Sequence, residues 1–171
     1  MYTDPFDIAL VRIDNRLVHG QILEAWVPFI KAQCIIVVND EVASDFYNET
    51  VIRMAVPSEI EVIINSVEEF SSHHITSQSG GKRTMVLFAN LADAFKSYNL
   101  GFHFKKLNIG NIYNEKYDLS CASSVFLCDA EIKDMLCIME KENIEIELKR
   151  VPREKDGNFK EILKEYCETH Q

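Results

Sequence analysis

No apolar run in this 171-residue chain approaches the roughly 20 residues that a membrane-spanning helix requires. The opening Met-Tyr-Thr-Asp-Pro-Phe-Asp has neither a basic cluster nor an apolar core, so it is not a secretory leader, and a cytoplasmic location is expected. Positive charge is in deficit: 18 Lys and Arg stand against 27 Asp and Glu, a net charge of −9 that argues against a nucleic-acid partner. The five cysteines are odd in number and contain no C-x-x-C pair, which removes both a disulfide framework and a zinc knuckle. Reduced, mostly buried thiols are the expectation. Neither G-x-G-x-x-G nor G-x-x-x-x-G-K-[ST] occurs, so dinucleotide and P-loop binding have no support. Repeats, low-complexity tracts and linkers are also missing, and residues 1–171 read as one domain.

What the chain has is a steady exchange of short apolar runs and helical segments. Strands are predicted at residues 8–14, 34–38, 62–64, 85–88, 107–109 and 124–127. Another is expected where Ile144, Ile146 and Leu148 alternate with Glu145, Glu147 and Lys149, as in a strand with one wet face. Helices are predicted over 20–31, with Trp26 and Pro28 distorting the end, and over 42–55, capped by Asp40 and stopped by Pro57. Ser66 and Glu69 have capping-box spacing, Asn90 caps a helix over 91–98, Asp129 caps one to about 141, and a last helix starts near 158. Such alternation predicts an α/β fold: an open, mostly parallel central sheet of about six or seven strands, with helices on both faces. The phenylalanines from Phe88 to Phe104 read as core, and His73-His74, without an acidic or cysteine neighbour, gives no reason to expect a metal.

One stretch stands apart. Arg12, Asp14, Arg16, His19 and Gly20 fall within nine positions, where the first strand runs into a polar loop and then a helix. Open α/β sheets place ligand sites at such junctions. A locally basic loop on an acidic body suits a small anion, and phosphate is the natural one. In this reading His19 is the nucleophile, because imidazole is partly unprotonated near neutral pH. Arg12 and Arg16 offer bidentate donors to phosphoryl oxygens, and Asp14 orients the imidazole or holds an arginine. Backbone amides at Gly20 and Gln21, near a helix N-terminus, add donors. Against this, a lone histidine at a helix start is more often structural, and Arg12 with Asp14 is also what a plain ion pair looks like. A buried strand, however, seldom ends in charge without a use.

The run Val-Arg-Ile-Asp-Asn-Arg-Leu-Val-His-Gly-Gln at 11–21 resembles the phosphorylation-site motif of IIB subunits in the mannose/fructose/sorbose family of bacterial sugar phosphotransferase systems. Ile-Ile-Val-Val-Asn-Asp-Glu-Val at 35–42 and Met-Ala-Val-Pro at 54–57 extend the likeness. The resemblance implies a cytoplasmic phosphotransferase that visits the membrane transiently. His19 would carry phosphate on its δ1 nitrogen, taken from a phosphohistidine of a IIA subunit and passed to a sugar held by a IIC/IID membrane complex, with no metal and no cofactor. Arg12, Asp14 and Arg16 match the motif as well. The chain departs from the family pattern at Asn15, commonly aspartate, and at Gly110-Asn111, commonly a Gly-Gly pair. Other sugar-system IIB types phosphorylate a cysteine directly after the first strand, a place that here belongs to His19. Two other readings stay open: a non-catalytic binding or regulatory module that keeps the fold and anion-binding loop, and a small phosphatase-like hydrolase. Apolar residues near Trp26 and Phe29 offer a contact for a partner or for a second copy in a homodimer.

Overall fold

The structure, a computed structural model, describes residues 6–73 and 80–170. Six strands form one parallel sheet: β1 (Phe6–Asp14), β2 (Cys34–Val38), β3 (Glu61–Asn65), β4 (Lys82–Phe88), β5 (Lys106–Asn111) and β8 (Glu145–Leu148), in the order β3-β2-β4-β1-β5-β8. The expected α/β sheet is therefore present. The predicted strand at 124–127 lies outside it: β6 (Leu119–Ala122) and β7 (Val125–Leu127) pair with each other as an antiparallel hairpin. This hairpin braces the end of β5, where Ser124 Oγ donates to the Gly110 carbonyl at 2.7 Å.

Alternation along the strands sorts the core into two layers. Val11, Ile13, Val86, Phe88, Leu107, Ile109, Ile146 and Leu148 face one cluster. That cluster is closed by α4 (Val67–Ser72), α5 (Leu91–Asn99), α6 (Asp129–Glu142) and α7 (Phe159–Thr169). Ile35, Val37, Met85 and Leu87 face the other. There the cover is a π-helical segment (Ile22–Trp26) running into α1 (Val27–Ile30), together with α2 (Asp40–Ser44). The distortion expected from Trp26 and Pro28 thus takes the form of π-helical turns just ahead of the proline, which has no N–H to donate. Phe88, Phe95, Phe102 and Phe104 are buried, as their core reading requires.

The helix predicted over 42–55 is two helices. Asn39, not Asp40, caps α2 by accepting from the Val42 N–H at 3.0 Å, and Asp40 instead accepts from the Val67 N–H at 2.8 Å. Asp45 breaks the run and caps α3 (Phe46–Ala55), accepting from the N–H groups of Tyr47 and Asn48. Cys128, not Asp129, occupies the cap of α6, while the Ser66–Glu69 capping box forms as read. Thiol burial is less uniform than expected: Cys34 and Cys121 are buried, with burial pushing each up to about 12, but Cys137 is exposed. Trp26 is buried and unavailable as a contact surface, whereas Phe29 is exposed. His74 lies outside the described residues. No helix is long and apolar enough to cross a membrane among the described residues.

Candidate functional site

β1 is a central strand, paired with β4 on one side and β5 on the other, so the loop after it emerges at the middle of the sheet's C-terminal edge. The loop is tightly turned. The Leu17 N–H donates to the Asp14 carbonyl at 2.9 Å, and Leu17 itself sits in the left-handed region at φ 54°, a sparsely used conformation for a branched residue. Burial of the Leu17 side chain in the second core layer holds that conformation. The chain then enters its helical segment, with the His19 carbonyl accepting from the N–H groups of Ile22 and Leu23. Gly20 and Gln21 open that segment, where the first N–H groups have no carbonyl within the helix to bond. A side chain at Gly20 would meet only open space.

Asp14 is the hub. Its carboxylate is fully buried and accepts from three cationic or polar side chains: Arg12 Nη2 at 3.0 Å, Arg16 Nε and Nη2 at 3.0 and 3.1 Å, and His19 Nε2 at 3.0 Å. Burial pushes this carboxyl up, but the hydrogen bonds from His19 and Arg16 and the charge of Arg12 outweigh it and hold Asp14 well below the usual carboxylate range. An ionised carboxylate can only accept, so the proton on the imidazole belongs to Nε2. The other nitrogen, Nδ1, keeps its lone pair and has no protein partner among the described residues.

The two arginines differ. Arg16 is half-exposed, bridges Asp14 and the Gln21 side chain, and leaves Nη1 without a protein partner among the described residues. Arg12 was expected to meet the anion directly, and its geometry is otherwise. It is fully buried, with all four terminal N–H donors committed: Nη1 to Asn108 Oδ1 and to the Lys149 carbonyl at 2.7 Å, Nη2 to Asp14 and to the Arg150 carbonyl at 3.1 Å. Its guanidinium lies 5.0 Å from the centroid of the Trp26 ring, and Trp26 Nε1 donates to the same Arg150 carbonyl at 2.9 Å. Asn108, Trp26, Gly110 and the two carbonyls are the parts sequence reading missed. The one available signal was Asn108 itself, a polar residue between Leu107 and Ile109 in a buried run.

Gly110 has a steric reason to be glycine. A Cβ there would lie 1.7 Å from Arg12 Nη2 and 2.1 Å from its Cζ, far inside contact distance. Gly110→Ala is expected to cost about 1–3 kcal/mol or more by overpacking, read as a lowered urea midpoint. Among the described residues no group of three or more His, Cys, Asp or Glu is placed to hold a metal.

Comparison with known proteins decides the family. The sequence model for the PTS system sorbose subfamily IIB component matches residues 8–171. The chain belongs to the sorbose-type IIB family. It is 30% identical over 158 residues to the fructose-specific EIIB component of Bacillus subtilis, covering 92% of this chain and 96% of that one. It is 28% identical over 163 residues to the sorbose-specific EIIB component of Klebsiella pneumoniae, covering 94% and 99%. With the mannose-specific EIIAB component of Escherichia coli it shares 27% identity over 144 residues, which is 84% of this chain but 44% of that longer protein. The crystal structure of the IIBSor domain of the Klebsiella pneumoniae sorbose permease superposes with a TM-score of 0.81 at 29% identity, covering 95% of this chain and 98% of that one. Proteins of this family are phosphotransferase components of bacterial sugar transport. Within this IIB chain Asn15 and Asn111 touch each other. The Asn111 side chain donates to Asn15 Oδ1, and the Asn15 N–H donates to the Asn111 carbonyl at 3.1 Å, tying the site loop to the end of β5.

Proposed function

We propose that this chain is a single-domain cytoplasmic phosphocarrier, phosphorylated on Nδ1 of His19 by a IIA partner and discharged to a sugar held by a IIC/IID membrane complex. The observation that carries this reading is the Asp14–His19 contact, which occupies Nε2 and leaves the Nδ1 lone pair free.

Phosphoryl transfer needs an in-line nucleophile and stabilisation of charge on the moving group. As Nδ1 forms its bond to phosphorus, the donor's P–N bond breaks and its electron pair returns to the donor ring. The His19 ring gains positive charge in that step, and its Nε2–H already points at the ionised Asp14 carboxylate. Arg16, half-exposed, and the N–H groups of Gly20 and Gln21 supply donors for the phosphoryl oxygens. Arg12 acts one step behind, as a positioning residue that locks Asp14. Discharge reverses the sequence: a sugar hydroxyl oxygen forms its bond to phosphorus as the P–Nδ1 bond breaks, the hydroxyl proton passes to a base on the acceptor side, and the ring leaves as neutral imidazole.

The test is intact mass after incubation with phosphoenolpyruvate, the general carriers of the system and a mannose-family IIA protein. One acid-labile phosphoryl group is expected, with a phosphorus–nitrogen coupling at Nδ1. A folded chain that gains none from a competent donor overturns the reading.

A further inference from the structure

Arg12 on β1, Asn108 on β5 and Glu147 on β8 occupy one row across three adjacent strands: Arg12 is the register partner of Asn108, and Asn108 of Glu147. Their neighbours Val11, Ile13, Leu107, Ile109, Ile146 and Leu148 all face the first core layer, so the row lies on the opposite face. On that face the apolar layer is built by β2 and β4, and polar side chains continue where it stops. Glu147 was expected on a wet face and is 8% exposed, while Asn108 is fully buried.

The row is joined end to end. Arg12 Nη1 donates to Asn108 Oδ1, and Asn108 Nδ2 donates to Glu147 Oε2 at 3.1 Å. Glu147 Oε1 pairs with Lys149 Nζ at 2.7 Å and with Lys106 Nζ at 3.4 Å. At the other end Arg12 Nη2 and His19 Nε2 share the same oxygen, Oδ2 of Asp14. A guanidinium can only donate and a carboxylate can only accept, so the Asn108 amide between them has a single orientation that satisfies both. Turning it over would set donor against donor on one side and acceptor against acceptor on the other.

We propose that Asn108 and Glu147 are positioning residues for the phosphotransfer site: the row, anchored by Lys106 and Lys149, aims Arg12 at Asp14 and so holds the carboxylate where it keeps the proton of His19 on Nε2. This rests on the phosphocarrier reading for its consequence in transfer, but not for its consequence in the resting imidazole. A row that served stability alone would gain nothing from polarity, since well-packed apolar residues commonly do as well or better than buried charge networks. The polar row has a use if a position must be held, because each side chain along it is fixed at both ends by its neighbours.

The experiment compares wild type, Asn108→Leu and Glu147→Gln by nitrogen–proton correlation spectra of the His19 ring and by single-turnover transfer from a phosphorylated IIA donor. Wild type is expected to show the Nε2–H tautomer alone. Asn108→Leu is expected to show a mixture, and to lose roughly 10–100-fold in the transfer rate at unchanged donor affinity, as outer-shell partners of other sites do. Glu147→Gln, nearly isosteric and at the sheet edge, keeps the fold and shifts both readouts the same way by less. Wild-type tautomer and wild-type rate in a folded Asn108→Leu or, should that chain not fold, in Glu147→Gln would overturn the proposal. If wild type accepts no phosphate, the phosphocarrier reading fails, and the tautomer spectra still decide the positioning role.

Discussion

A His19→Ala chain is expected to accept no phosphate from a IIA donor that phosphorylates the wild type, while melting at nearly the same temperature. The side chain is 17% exposed and, among the described residues, makes one hydrogen bond, to a carboxylate that keeps both arginines after the ring is gone. Loss of such a bond costs on the order of 1 kcal/mol, small against the whole stability of a chain this size. Loss of the nucleophile is total for a covalent carrier, since the neighbouring groups can stabilise a phosphoryl group but have nothing to attach it to. Intact mass and a thermal melt on the same sample separate the two effects. Phosphate persisting on His19→Ala would move the site, and the exposed Cys137 would be the first thiol to replace.

Asp14→Asn should injure both stability and transfer. The carboxylate is the charge partner of a fully buried guanidinium, and removing one member of a buried pair typically costs about 3–5 kcal/mol. An amide can also donate as readily as accept, so it no longer dictates the Nε2–H tautomer. A loss on the order of 10³–10⁴ in transfer rate is expected, as for the same change beneath other catalytic histidines. The stability effect has a pH signature. Asp14 is held below its unfolded value, so its contribution is complete above roughly pH 4 and fades as pH falls further toward the folded value. Urea denaturation of both chains should therefore show a wide gap at neutral pH that narrows in acid. A gap constant across that range would mean that Asp14 titrates alike in the folded and unfolded chain, and a gap that widens in acid would mean that it is protonated in the folded protein.

The loop that carries this chemistry was legible because its residues are close in sequence: the strand end, Asp14, Arg16 and His19 span six positions. The strands were legible for the same kind of reason, since β2 at Cys34–Val38 is an unbroken apolar run. What escaped was everything supplied from far along the chain. Arg12 and Asp14 were correctly placed on one strand, yet nothing local reveals that residues 108, 149 and 150 supply three of the four groups that hold Arg12. A burial pattern of alternating Glu and Ile likewise says which face Glu147 is on but not that Asn108, Lys106 and Lys149 enclose it there. The run at 124–127, which holds β7, was read as part of the sheet because an apolar run marks a strand without naming its partner, and its hairpin mate β6 was not read at all.

The order of the sheet also bears on how the chain comes to be made. β1 is synthesised before the other strands of its sheet, yet among the described residues its partners are β4 and β5, and β4 ends at Phe88. At about 5–20 residues per second, the segment holding His19 waits several seconds on the ribosome before either flank of its strand can be closed. During that wait β2 and β3, which pair with each other, are already available to form a nucleus. The residue proposed to handle phosphate is thus seated late, between edges laid down after it, and slow variants of β4 or β5 should expose the N-terminal strand to proteases long before they disturb the mature protein.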